Sequence, residues 1–457
     1  MSVSRRGFIA GCSAFVAGFA GARFNTLAFA DDGSEGEILV TLFLRGGIDS
    51  LSLLVPRDGA DRGHYEVARP VLAVPLTGPN ALLPLNAQFG FNPRTNTWPA
   101  GTPTPPATLL DLYQQNKLSL VTAAGMHEDN RSHFDSMNFM ELGTPGSLTS
   151  STGWLTRHLA TAPNISLDTV LPSLAVGNLQ QAALRGSLET ANMTSPDSFS
   201  LEVGPFSWRN AARVAMRNIW SSQPSWLHQS GVAALDTIDI IDLADPGTYT
   251  PANGAVYPDT TLGNHFRTIA RMIKLGLGLR VATIDYGGWD THNGQGDAGA
   301  GYFGGKVEEL SRALAAFYVD LDGGGSQNFT NRLTVVVQSE FGRRLRENAD
   351  RGTDHGHGGF MMVMSGNATG GIHGPWPGLA PGQLYDGADL DVGTDYRRVL
   401  SEVLIRRCGN PHIDQIFPGY TGYAPLGVVS GPDTPPEPIF CDGFEAGNTG
   451  AWSAGSP

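Results

Sequence analysis

Residues Leu333 to Pro375, LTVVVQSEFGRRLRENADRGTDHGHGGFMMVMSGNATGGIHGP, constrain the fold more than any other stretch of this chain. Thr334 to Val337 is a compact β-branched run that reads as a buried strand. It delivers Ser339 and Glu340 to its C-terminal edge, a polar loop then carries Asp354, His355 and His357, and Phe360 to Met364 forms a second apolar strand. Ligands of open α/β sheets sit at the carboxyl ends of strands. Carboxylate beside imidazole at such an edge is the composition of a metal site.

The rest of the chain repeats this grammar. Glu37 to Arg45 is a first strand, ending in Gly46-Gly47-Ile48-Asp49, with a helix expected to begin at Ser50 and stop at Pro56. Pro70 to Pro106 is turn-rich and reads as a long surface insertion. A helix is expected over Thr108 to Asn116, a strand over Leu118 to Ala123, and a helix over His133 to Leu142. Between Gly143 and Tyr257 the pattern weakens to short helices at Trp154 to Ala160 and Arg209 to Trp220, a strand at Ser173 to Val176, and loop. Leu262, Phe266, Ile269, Ile273 and Leu277 recur at helical spacing, and Arg280 to Tyr286 is a strand leading into Asp290 and His292. Val307 to Leu321 and Tyr396 to Leu404 mark two further amphipathic helices. Strands alternating with helices indicate an α/β fold, a mostly parallel central sheet with helices on both faces and loop-rich insertions.

The first thirty residues read as something other than fold. Ser4-Arg5-Arg6-Gly7-Phe8-Ile9 is a twin-arginine pattern, a weakly apolar stretch follows, and Ala28-Phe29-Ala30 offers a cleavage site. The expected organisation is a signal at 1–30, one domain over 31–430, and a proline-rich linker with a short tail at 431–457. Export by the twin-arginine machinery places the protein in the periplasm or outside the cell, without a transmembrane segment in the mature chain. Formal net charge is −13, and the signal holds three arginines and no acid, so maturation makes the chain more acidic still. That acidity argues against nucleic acid as a partner, and any anion must be bound by local cations.

Asp49, Asp290, His292, Glu340, Asp354, His355 and His357 form the candidate ligand pool. Mixed carboxylate and imidazole without thiolate suits one or two divalent ions: zinc, manganese, magnesium or calcium, with iron also compatible. If extended, Asp290 and His292 point the same way, as do His355 and His357. Each acid also has a plainer role: Asp49 in a turn, Asp290 as a helix cap, Glu340 paired with Arg343 or Arg344. His127 and His373 read as loop histidines. Ser132 and His133 open a helix after a strand, where a hydroxyl lies in a field favouring a phosphoryl or sulfuryl oxygen. Ser132 with Asp135 also has capping-box spacing. No Gly-x-Ser-x-Gly elbow, Walker loop or His-Glu-x-x-His helix occurs.

These segments resemble the exported bacterial proteins of the DUF1501 family. The resemblance is carried by Leu44-Arg45-Gly46-Gly47-Ile48-Asp49-Ser50-Leu51, Arg131-Ser132-His133-Phe134 and Gly288-Trp289-Asp290-Thr291-His292-Asn293-Gly294-Gln295. It continues through Ser339-Glu340-Phe341-Gly342-Arg343, Gly352-Thr353-Asp354-His355-Gly356-His357-Gly358 and Thr394-Asp395-Tyr396-Arg397. That family resembles the alkaline phosphatase and sulfatase superfamily, which implies an alkaline-phosphatase-like core and a one- or two-metal hydrolase site. In that superfamily an Asp and a His four residues apart share a metal, whereas Asp290 and His292 are two apart, and Phe341 stands where a ligand histidine is expected. The last ligand falls on His355 or His357; an alternative register uses Asp354 with His355 and a later residue such as His373. The tail from Ile439 to Trp452 resembles a short C-terminal motif of exported proteins.

The resulting expectation is an exported metal-dependent hydrolase of phosphate or sulfate esters, acting on a small anionic ester with Ser132 as nucleophile. The competing expectations are a non-catalytic secreted binding or envelope protein with decayed ligands, and a metal-dependent oxidoreductase.

Overall fold

The computed structural model describes residues 36–98, 107–163, 165, 169–199, 208–243, 249–324 and 328–433. The twin-arginine segment, most of the proline-rich linker and the tail from Ile439 lie outside the described residues. Among the described residues, no helix is long and apolar enough to cross a membrane.

The strands in chain order are β1 (Ile38–Leu44), β2 (Leu54–Pro56), β3 (Leu83–Pro84), β4 (Phe89–Phe91), β5 (Leu118–Gly125), β6 (Ser173–Val176), β7 (Thr190–Met193), β8 (Val281–Tyr286), β9 (Leu333–Gln338), β10 (Gly359–Ser365), β11 (Gly371–His373) and β12 (Thr394–Asp395). Nine of them form one sheet in the order β11-β5-β10-β9-β1-β8-β6-β7, with β12 also paired to β5. Every pairing in it is parallel except the two made by β10. This is the mostly parallel α/β sheet that the apolar runs imply.

Both faces are covered, which is why the strands read as unbroken apolar runs. Ile38, Val40, Leu42 and Leu44 of β1 face one core, shared with the helices Thr261–Leu275 and Gly301–Leu321. Leu39 and Phe43 face the other, shared with His133–Leu142, Trp154–Thr161 and Tyr396–Arg406. The central strands end level: Leu44 is opposite Tyr286 of β8, and Phe43 opposite Gln338 of β9.

Three expectations need correction. The helix at Ser50 ends at Leu53, and Leu54–Pro56 is strand, because the segment pairs with Phe89–Phe91. The presumed surface insertion therefore carries a small three-stranded sheet, β2-β4-β3. The middle region holds the helix Trp226–Leu243, read as loop from sequence, and it is tied to Arg209–Trp220 by Arg217 bonding Asp239 at 2.8 Å.

Direction of travel fixes the functional edge. β1, β8, β9 and β5 all release their following loops at one end of the sheet. Antiparallel β10 receives its preceding loop at that same end. Segments 45–49, 126–133, 287–292, 339–344 and 353–358 are thereby gathered at one edge.

Candidate metal centre

Three imidazoles converge on one carboxylate oxygen at this edge. His133 Nε2, His292 Nε2 and His355 Nε2 lie 3.4, 3.2 and 3.4 Å from Asp290 Oδ1. The candidate ligand atoms of His133, Asp290 and His355 all lie within 4.8 Å of one another. His292 Nε2 is also 2.9 Å from His355 Nε2.

The opposite nitrogen of each ring is already engaged. His133 Nδ1 is 2.7 Å from Glu340 Oε1, His292 Nδ1 is 3.0 Å from Asp354 Oδ1, and His355 Nδ1 is 2.8 Å from the Arg131 carbonyl oxygen. Each acceptor holds the ring proton on Nδ1, which donates to it, leaving a lone pair on Nε2 in the neutral ring. The lone pairs of His292 and His355 then face each other across 2.9 Å. His133 Nε2 is buried without a hydrogen-bond partner. Such an arrangement calls for extra protons or for a cation. Imidazoles oriented by acceptors at Nδ1 are what metal-binding histidines have, so His133, Asp290, His292 and His355 can hold a divalent ion.

The framework is backbone-tight. Glu340, fully buried, accepts from Gly46 N at 2.7 Å as well as from His133. Gly46 has φ +120°, and a Cβ there would stand 2.4 Å from Asp290 N, so the turn after β1 admits only glycine. Gly356 is packed so that a Cβ would lie 2.4 Å from the Arg343 carbonyl carbon, which brings the His355 loop against β9's extension. Buried Arg343 donates to the carbonyls of Gly47 and Thr353, at 2.6 Å each, and to Asp290 Oδ1 at 2.5 Å.

Electrostatics follow from these contacts. Burial opposes charging His133, but the hydrogen bond and charge of Glu340, with Asp290, raise its pKa above that of ordinary imidazole. Burial, then the neighbouring charges of His133 and Arg343, lower that of His355. For Asp290, burial disfavours the charge, yet Arg343 outweighs it and keeps the carboxyl below its usual range. Asn348's hydrogen bond does most to lower Asp354, with His292 contributing.

The expected ligand pool divides. Asp290, His292 and His355 meet, and His133, assigned from sequence to catalysis, joins them. Glu340 and Asp354 are placed as acceptors behind His133 and His292. Asp49 is drawn away from the cluster by a bidentate salt bridge to Arg69, at 2.6 and 2.9 Å, and both residues are fully buried. Burial would raise the pKa of Asp49, and Arg69 instead holds it low. His357 stacks on Tyr385 at 4.0 Å, because residues 353–358 are not an extended strand and the expected alternation with His355 fails. Its pKa is lowered by burial. Ser132 is the cap of the helix His133–Leu142, accepting from Asp135 N at 3.4 Å. Its hydroxyl donates to none of the described residues. Glu340 pairs with neither nearby arginine: Arg343 goes to Asp290, and Arg344 lies 3.8 Å from Asp389. His373 is in β11 and bonds the Gly370 carbonyl, which removes it from the alternative register.

Phe341 packs against the rings of His133 at 4.8 Å and His355 at 4.9 Å. Arg69 and Asn348 have no sequence signal as partners, and Arg343, expected beside Glu340, instead serves Asp290, 53 residues away in the chain.

Residues 260–410 match the family model described as Protein of unknown function (DUF1501), which supports that resemblance over this segment. The segment contains Asp290, His292, Glu340, Asp354 and His355. No curated protein and no solved structure matches the chain.

Proposed function

We propose that this protein is an exported, metal-dependent hydrolase of phosphate or sulfate esters, with His133, Asp290, His292 and His355 holding one divalent ion. The observation that carries the reading is the orientation of the three imidazoles, each fixed at Nδ1 and aimed through Nε2 at Asp290. The orphaned His133 Nε2 is the vacancy in hydrogen bonding that a cation fits. Among the described residues one group, His133, Asp290 and His355, has its ligand atoms close enough to share an ion, with His292 beside it, so the proposal narrows to a single ion. A nitrogen-rich set with one carboxylate favours zinc, manganese or iron over magnesium or calcium.

When bound, the ion would supply charge that polarises a phosphoryl or sulfuryl oxygen and activates its attacker. The chain's own groups do the rest. Glu340, Asp354 and the Arg131 carbonyl hold the rings in one orientation and one tautomer. Arg343 keeps Asp290 ionised and aimed. Side-chain exposure rises from 0% at Glu340 through 19% and 24% at His133 and His355 to 40% and 47% at His292 and Asp290, so substrate enters over the last two. Among the described residues no base hydrogen-bonds the Ser132 hydroxyl, which caps its helix, and solvent rather than that hydroxyl is the proposed attacker.

Element analysis of protein folded in an exporting host, with an aryl phosphate and aryl sulfate screen, tests this. Roughly one divalent ion per chain is expected, lost on substituting H292A or H355A, with activity abolished by chelation. Full hydrolysis by a metal-free preparation would sink the metal role. One observation favours the non-catalytic alternative: Arg343 already compensates Asp290, and a chain that binds no ion and turns over no ester would establish it.

A further inference from the structure

A groove of about 450 Å³ opens directly beside the cluster, with Asn348 and Asp354 at its near end and His64, Val67, Arg344 and Arg346 along its sides. Its cations come from one pinned segment. Arg343 and Leu345 are buried while Arg344 and Arg346 are exposed, where the chain leaves a bridge and turns through a bend. Arg344 N donates to the Asp354 carbonyl, Leu345 N to that of Ala388 and Glu347 N to that of Ala68, at 3.0, 3.0 and 3.1 Å. From below, Arg69 donates to the carbonyls of Leu345 and Arg344 at 2.8 and 3.0 Å. The two arginines thus project from a backbone tied at three points, Arg344 from an isolated bridge to Asp389 and Arg346 from the bend that follows it.

Their charge is largely uncommitted. Among the described residues the one ion pair of Arg344 is the long contact to Asp389, at 3.8 Å, whose other oxygen Arg131 already holds at 2.7 Å, and Asp354, across the groove, also feels its charge. Arg346 has no carboxylate within salt-bridge distance among the described residues. Glu347, which also lines the groove, turns its carboxylate onto the backbone N–H groups of Val71 and Leu72. A chain of net charge −13 thus sets a cationic strip against its candidate site. No Phe, Tyr or Trp lines the groove, whose one ring is the imidazole of His64, so a neutral sugar ring has no broad apolar face to stack on. A ligand read through its charges needs none.

We propose that this groove binds the alcohol portion of the ester and selects anionic glycans, with Arg344 and Arg346 each engaging a charged substituent along the chain. The proposal rests on the hydrolase reading for the word ester, but the groove's binding is measured without turnover. Calorimetric titration of the purified protein would use a dextran sulfate oligosaccharide, an oligogalacturonate and a size-matched neutral dextran. Saturable binding of a charged chain, none of neutral dextran, and weakening at high salt are expected. R344Q and R346Q should each cost about tenfold in affinity, while R185Q, on another surface, should cost nothing; unchanged unfolding midpoints confirm intact variants. Comparing the charged arms identifies the substituent as sulfate or carboxylate. Full affinity in the double variant, or equal binding of neutral dextran, overturns the proposal. A groove that binds beside a cluster that turns nothing over would sink the hydrolase reading alone; turnover of aryl esters without charge-dependent glycan binding would sink the groove alone.

Discussion

Removing Arg69 separates structural from ligating roles for Asp49. All five N–H donors of the guanidinium are used: Leu345 O, Asp49 Oδ2, Ser52 Oγ, Asp49 Oδ1 and Arg344 O, at 2.6 to 3.0 Å. Asp49 also accepts from Ser52 and Gln295, at 2.6 Å each. R69M leaves those two bonds to support a carboxylate with no exposed surface. Breaking one side of a buried ion pair costs about 3–5 kcal/mol, whereas replacing both sides together is often close to neutral. R69M should therefore lower the urea midpoint by that free energy, and D49L/R69M should recover a large part of it. The pH dependence has a definite sign. Asp49's folded pKa is depressed, so the pair's contribution is complete above the ordinary carboxylate pKa of about 3.9 and is lost as pH falls through the lower, folded value. In R69M, burial without the arginine raises that pKa, and stability should instead fall as pH rises above about 4. Metal content of D49N should equal that of the native protein once folded. A stable D49N that has lost its ion would refute the structural role and return Asp49 to the ligand set.

Three further outcomes follow from the same geometry. E340Q removes the charge behind His133 while keeping its shape, and chelator competition should show roughly 10–100-fold weaker metal affinity; unchanged affinity would mean that His133 is not a ligand. G46A places a methyl group 2.4 Å from Asp290 N at a φ of +120°, and denaturant titration should show a loss of more than ~1 kcal/mol together with impaired metal retention. His158 is buried, its pKa lowered to about 4. Stability should be full above the unfolded value of about 6.5 and fall by at most about 3 kcal/mol as pH drops to 4. H158Q should flatten that slope.

The legible parts of the fold are those in which the chain carries its own boundary chemistry. The helix His133–Leu142 runs between Ser132, an N-cap, and Gly143, a left-handed C-cap, and both are readable in the sequence. Ser173–Val176 and the apolar runs of β8, β9 and β10 are read because each is buried on both faces. β7, Thr190–Met193, escapes because it has no aliphatic run and is strand only through its pairing with β6. Trp226–Leu243 escapes because Gly231 interrupts it and its Ile-rich second half is β-branched, both of which depress the helical signal. Strand-end position identifies Asp290, His292 and His355 as neighbours in space. Sequence does not show which charge compensates which: Asp49 finds Arg69 and Asp290 finds Arg343 only once the edge is assembled. His133 is masked by lying next to a good cap, which explains its local pattern without reference to its ring.

The reversed strand bears on when the histidine cluster is assembled. β10 fills the gap between β5 and β9, and its antiparallel course delivers His355 to the rim. A nascent chain that has emerged only as far as Gln338 has two unzipped edges and neither Asp354 nor His355. The cluster is therefore completed late in synthesis, when roughly the last quarter of the polypeptide enters a slot held open by the rest. Any truncation upstream of that point yields a sticky, inert fragment rather than a weakened version of the whole.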